Sequence, residues 1–208
     1  EAPLLGYPTN FTIYDTYDSE RLVSNIIKEL NLNKDHYKAK QIRNRISSLK
    51  NNFITAENYF NNPEIIEVDK ISKRSEFGII YKRYVERCFR SSVMDFDDLL
   101  LKTNELLNKF PEVLSKYQDK FRYILVDEYQ DTNYSQYLII KALSDRHQNL
   151  CVVGDDSQSI YSFRGANIDN ILNFKKHYPD CKIYKLEQNY RSSNNIVQCA
   201  NSLIQNLS

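Results

Sequence analysis

FRYILVDEYQDTN, residues 121–133, decides the fold of this chain, and LCVVGDD, residues 150–156, repeats its grammar. In each, a short apolar run stops at acidic side chains. Tyr123-Ile124-Leu125-Val126 ends at Asp127-Glu128, and Leu150-Cys151-Val152-Val153 ends at Gly154-Asp155-Asp156. Such runs have the length of buried strands, and Tyr137 to Leu143 between them reads as a helix, so the order predicts parallel strands joined by a crossover. A third run, Ile183-Tyr184-Lys185-Leu186, reads as another strand, followed by an amphipathic segment carrying Ile196, Val197, Ala200, Leu203 and Ile204.

Upstream, the apolar period changes from strand-like to helical. Leu22, Val23, Ile26, Ile27 and Leu30 form one face behind a possible Ser19 cap, and Ile42, Ile46 and Leu49 form a second. Phe77, Ile80, Tyr81, Tyr84, Val85, Cys88 and Phe89 make a longer stripe. Asp95 or Asp97 is placed to start the next helix, through Leu99, Leu100, Leu106 and Leu107. Pro111 suits the first position of another, running towards Lys120.

With 208 residues, 41% hydrophobic and 26% charged, the chain can build one sizeable core or two small ones. It contains no run approaching the roughly 18 apolar residues of a membrane span and no signal pattern, so a cytoplasmic location is expected. Cys88, Cys151, Cys181 and Cys199 lack zinc-site spacing and read as free, mostly buried thiols. The chain opens on Glu1 and its single methionine is Met94, which suggests that further sequence lies upstream. Net charge is +1 but uneven: Arg21 to Met94 holds 15 Lys+Arg against 8 Asp+Glu, a local +7 that leaves −6 elsewhere. A solvated helix surface and a nucleic-acid contact both explain such a surplus.

Carboxylates at the carboxyl edge of a parallel sheet face the crevice where open α/β folds bind ligands. Asp127 there can help fix a Mg²⁺ bridging two phosphates, while Glu128 can orient or polarise an attacking water. An isolated acidic pair after a strand serves equally well as a turn or helix cap. The pair is not isolated. DEYQDTN at 127–133, VGDDSQSIYSFRGA at 153–166 and LEQNYRSS at 186–193 are, in order, similar to three motifs of the UvrD/Rep family of superfamily 1 DNA helicases. FTIYD at 11–15 and MDFDDLL at 94–100 also resemble segments of that family's inserted helical domain.

The resemblance implies an incomplete RecA-like α/β motor domain with a largely helical insertion: residues 1–120 as the inserted domain, 121–187 as the partial motor domain, 188–208 as the opening of a second motor domain. It gives Asp127 the magnesium role and Glu128 the water-activating role. Gln158 would sense the γ-phosphate, Arg191 would stabilise charge developing in phosphoryl transfer, and Tyr190 would stack on adenine. Tyr161 and Phe163 resemble the aromatics on which the family stacks single-stranded bases, which suits a motor indifferent to sequence. The family often has tryptophan where Phe163 stands, and this chain has none. Arg164 would hold a phosphate or brace the loop.

The implied activity is ATP- and Mg²⁺-dependent movement 3′ to 5′ on single-stranded DNA, with unwinding at single-strand/duplex junctions. It also needs a P-loop, whose glycines open backbone N–H groups to phosphate and whose lysine neutralises them. Gly6, Gly78, Gly154 and Gly165 precede Tyr, Ile, Asp and Ala, so no Gly-Lys occurs, and these residues alone are expected neither to bind ATP tightly nor to unwind DNA. In the family's arrangement the strand at 150–153 would lie between the missing strand and that at 123–126, leaving an unpaired edge. Two other readings share the motifs: a DNA-binding module that kept the fold and lost the motor, and the motor half of a helicase-nuclease.

Overall fold

The computed structural model describes residues 1–159 and 166–205. β1 (Thr12–Tyr14) leads into α1 (Thr16–Glu29), α2 (Ala39–Asn51), α3 (Ala56–Phe60), α4 (Pro63–Ile71) and α5 (Phe77–Arg90). β2 (Val93–Asp95), α6 (Phe96–Lys109) and α7 (Pro111–Lys120) follow. The chain then alternates through β3 (Ile124–Val126), α8 (Tyr134–Ser144) and β4 (Leu150–Val152), and ends in α9 (Asp169–Leu172), α10 (Phe174–His177) and α11 (Asn194–Gln205). The architecture is mixed: mostly helix, with two small parallel sheets.

The helical core is built from the stripes read in the sequence. Val23, Ile26 and Ile27 of α1, Ile42, Ile46 and Leu49 of α2, and Phe77, Ile80, Tyr81, Tyr84 and Cys88 of α5 pack together with Tyr59 of α3. Burying each large apolar side chain contributes about 1.5–3 kcal/mol. The buried tyrosines keep their hydroxyls satisfied, Tyr81 donating to Ile54 O at 2.9 Å and Tyr84 to Asp95 Oδ2 at 2.8 Å. Gly78 is required where α5 meets α3, since a Cβ there would lie 2.6 Å from the Tyr59 ring. Phe89, at the end of the α5 stripe, is 47% exposed and instead meets Tyr7 edge-on with ring centroids 5.0 Å apart.

Two local expectations change. α1 is capped by Asp15, whose carboxylate accepts the Asp18 N–H at 2.8 Å, and Ser19 lies buried inside the helix. An N-cap must stand where the chain leaves extended structure, and Asp15 follows β1 directly. Residues 12–14, in the part read as helical, pair in parallel with β2 in the register Thr12↔Val93, Ile13↔Met94, Tyr14↔Asp95. The FTIYD and MDFDDLL segments are therefore neighbours in space. Asp95 then caps α6 in a reciprocal box with Asp98, and Pro111 opens α7 as read.

Part of the basic surplus is consumed internally. Lys50 is fully buried, with Nζ 2.7 Å from both Asp95 and Asp98 carboxylates, Arg45 reaches Asp69 at 3.3 Å, and Arg87 pairs with Glu29. Of the cysteines only Cys88 is buried. Cys151 and Cys199 are exposed, contrary to the reading of mostly buried thiols.

β3 and β4 pair in parallel, Ile124↔Leu150 through Val126↔Val152, as the strand-helix-strand order predicted. Among the described residues β4 pairs with β3 alone. The third apolar run does not form a strand: Ile183, Tyr184 and Leu186 are 65%, 79% and 87% exposed. A strand exists only through a hydrogen-bonded neighbour, and no described strand lies beside this run.

Candidate active site

The parallel pair brings two loops to one edge. Val153 N–H donates to Val126 O at 2.8 Å and Tyr129 N–H donates to Val153 O at 2.9 Å, so Asp127-Glu128 and Gly154-Asp155 leave the sheet side by side. Glu128 has φ 49 and ψ 43, a left-handed conformation unusual for a side chain with a Cβ. Holding it costs on the order of 1–3 kcal/mol, which the surrounding bonds must offset. The short turn Tyr129–Asp131 supplies some of them, with Asp131 N–H on Glu128 O at 2.9 Å. Both carboxylates remain exposed to solvent.

Gln130, 1% exposed, joins the two loops. Its Nε2 donates to Glu128 Oε2 at 2.8 Å, and its Oε1 accepts the Asp155 N–H at 3.1 Å. Asp155 accepts from Gln158 Nε2 at 2.7 Å through Oδ2, while its Oδ1 caps the following turn at Ser157 N–H, 3.0 Å away. Glu128, Gln130, Asp155 and Gln158 thus form one connected chain. Gly154 fits closely beside it: a Cβ would stand 2.5 Å from Gln130 Oε1 and 2.7 Å from Ile171 Cδ1, so those side-chain ends would have to shift.

Asp127, Glu128, Asp131, Thr132 and Gln136 line a cleft floored by Leu100, Ile139 and Ile140. Asp131 Oδ1 is buried there without a hydrogen-bond partner among the described residues. Among the described residues no group of three or more acidic, histidine or cysteine side chains is placed to hold a metal ion by itself, so these residues could offer a hard divalent cation such as Mg²⁺ only some of its oxygen ligands. Asp127 would help hold it, and the ion would supply positive charge to neutralise phosphate oxygens.

The structure gathers Asp127, Glu128 and Gln158 at one sheet edge. Tyr190 and Arg191 lie on the irregular segment before α11; Tyr190 is 91% exposed, and the Arg191 N–H donates locally to Asn189 Oδ1 at 2.9 Å. Among the described residues, the bonds linking Glu128 to Gln158 do not extend to them. Tyr161, Phe163 and Arg164 lie outside the described residues. The segment that follows them is anchored to the carboxylate loop: Ala166 bridges Asn133, and Asn170 Nδ2 donates to Thr132 O and Oγ1 at 3.0 Å. Gln130, Gly154 and Asp155 were quoted within motifs but given no role. The sequence signal for them is weak: a glutamine, a glycine and an aspartate in loops that follow short apolar runs.

Acidic strand ends on a parallel pair, joined to a glutamine-bearing loop and backed by a helical body, form the kind of edge at which open α/β folds bind ligands. The family model described as UvrD/REP helicase N-terminal domain matches residues 1–179, and the chain belongs to that family. It is 44% identical over 208 residues to the ATP-dependent DNA helicase PcrA of Bacillus subtilis, covering 97% of this chain and 26% of the relative. The PcrA helicase of Staphylococcus epidermidis is 42% identical over 205 residues, covering 98% and 27%, and that of Staphylococcus aureus 41% over 207, covering 99% and 27%. The chain thus spans about a quarter of the length of these curated relatives. Among the described residues no helix is long and apolar enough to cross a membrane.

Proposed function

We propose that these residues are part of an ATP-dependent DNA helicase that moves 3′ to 5′ on single-stranded DNA and separates duplexes at junctions. Residues 1–120 form its inserted helical domain, 121–187 part of a RecA-like motor domain, and 188–208 the opening of the second. The observation that carries this reading is the Glu128–Gln130–Asp155–Gln158 chain at the carboxyl edge of a parallel sheet. It ties a candidate water-orienting carboxylate to a candidate phosphate-sensing amide. Glu128 would accept a proton from the attacking water, Asp127 would help hold Mg²⁺, whose charge would neutralise phosphate oxygens, and Gln158 would exchange its bond to Asp155 for one to the terminal phosphate. Arg191, permanently charged and forked, stabilises the transferring group once the second motor domain closes, and Tyr190 stacks on the adenine. Tyr161 and Phe163 stack on bases, beside Arg164.

The assay is DNA-stimulated ATP hydrolysis and strand separation by the full-length protein. Glu128→Gln and Arg191→Ala are each expected to lower turnover by about 10²-fold or more. Normal turnover in Glu128→Gln would overturn the mechanism. These residues alone, with no Gly-Lys phosphate cradle, are expected to bind ATP weakly in a direct titration.

A further inference from the structure

Asn51, the last residue of α2, is 9% exposed and its side-chain amide is held on both sides. Its Nδ2 donates to Ser47 O and to Asp97 Oδ1, each at 3.0 Å, and its Oδ1 accepts from Asn133 Nδ2 at 2.8 Å across 82 positions of sequence. Two acceptors at the nitrogen and a donor at the oxygen fix which way the amide points. Asn133 is equally constrained, because its Oδ1 accepts the Gln136 N–H at 2.8 Å while its own N–H donates to Gln136 Oε1 at 2.9 Å. One residue earlier, Thr132 closes the turn onto Tyr129 O, through its N–H at 3.2 Å and its hydroxyl at 2.7 Å. The turn in turn holds the left-handed Glu128. Hydrogen bonds, joined by the backbone step from Asn133 to Thr132, therefore connect the carboxylate loop to α2, a helix absent from the lining of the cleft.

We infer that Asn51 is a positioning residue for hydrolysis: through Asn133 it fixes where Glu128 stands, so that the helical body sets part of the turnover rate. This rests on the hydrolytic role proposed for Glu128. A strand-turn-helix connection does not itself need the Asn51–Asn133 bond, since the α8 cap is complete within Asn133 and Gln136.

Reversing the polarity of the link tests it. Asn133→Asp keeps the cap, because aspartate accepts the Gln136 N–H, but replaces the donor facing Asn51 with an oxygen. Asn51 then has no good orientation, since flipping its amide would turn its oxygen onto Asp97 and Ser47 O. Adding Asp97→Asn supplies a donor on that side, and the Ser47 hydroxyl, 3.4 Å from the Asn51 amide nitrogen, can offer a second, so Asn51 can flip and close the chain in the opposite direction at constant total charge, with the bond to Ser47 O as the one contact given up. Burial already holds the Asp97 carboxyl above the ordinary carboxylate range, so a neutral amide suits the position.

In the full-length protein, Asn133→Asp is expected to lower the kcat of DNA-stimulated ATP hydrolysis about tenfold with KM for ATP within about twofold, and the double variant to recover most of the loss. Wild-type kcat in Asn133→Asp, with Glu128→Gln inactive alongside, would show that the link carries nothing. A loss that Asp97→Asn fails to repair, tracking a fall in Tm, would reduce it to a structural contact. If Glu128→Gln itself turns over normally, the underlying hydrolytic reading falls first and the inference with it.

Discussion

Lys50 has no exposed side-chain surface, and removing an ammonium from water costs several kcal/mol unless the charge is matched. Asp95 and Asp98 match it, and the Tyr84 ring lies 5.0 Å from Nζ. Burial pushes the Lys50 ammonium towards deprotonation, but the two carboxylates outweigh it and hold its pKa above the ordinary lysine value. Lys50→Met should therefore cost about 3–5 kcal/mol in urea unfolding, because it leaves two carboxylates buried without their counter-charge. A loss below about 1 kcal/mol would mean that water reaches the cluster. Lys50 falls on the same face as Ile42 and Ile46, eight and four residues after them, but a charge count along residues 21–94 does not separate it from its solvated neighbours. Cys88 makes the complementary case, since its place in an apolar stripe was readable. Burial pushes its thiol up to about 12, so a thiolate-directed reagent at neutral pH should modify it only after denaturation. Labelling of native Cys88 at the rate of a free thiol would contradict the packing described.

Elements were legible where one local device decides them. Asp95, read with Asp97 as a start of α6, caps it reciprocally with Asp98, and Pro111 opens α7, whereas the Asn133–Gln136 cap of α8 was not read. β1 and β2 were not legible, because three residues carry no alternation and each is a strand only through a partner remote in sequence. Residues 183–186 fail in the opposite sense, having the composition of a strand without the neighbour. At the site, the strand ends and their carboxylates were readable, whereas the Gln130 bridge depends on the two loops meeting. Gly154 makes that bridge testable. In Gly154→Ala the new methyl would collide with Gln130 Oε1, so Gln130 must leave Asp155 or Glu128. Overpacking of this kind costs about 1–3 kcal/mol, and turnover of the full-length protein should fall with it. Unchanged stability together with unchanged turnover would show that Gln130 has room the geometry denies it.

Across the whole molecule, the helical core and the α/β part differ in how much surface they cover. α1, α2 and α5 bury one continuous apolar cluster, whereas Tyr123 just before β3, Leu125 on β3, Tyr184 and Leu186 after β4, and Leu203 on α11 are 63–87% exposed. Exposed apolar surface on this scale marks contacts to be made elsewhere, and the relatives are about four times as long as this stretch. Hydrogen exchange on residues 1–208 alone should then divide along the chain. Amides of α1, α2 and α5 should exchange only with global unfolding, those of residues 181–193 at nearly the rate of unfolded chain, and those of β3 and β4 in between. In the full-length protein residues 183–186 should become protected, as the apolar run acquires the strand neighbour it lacks. If they exchange equally fast in both, the run is a surface segment whose strand-like composition has another cause. Uniform protection across residues 1–208 alone would show that the α/β part is stable without its missing neighbours.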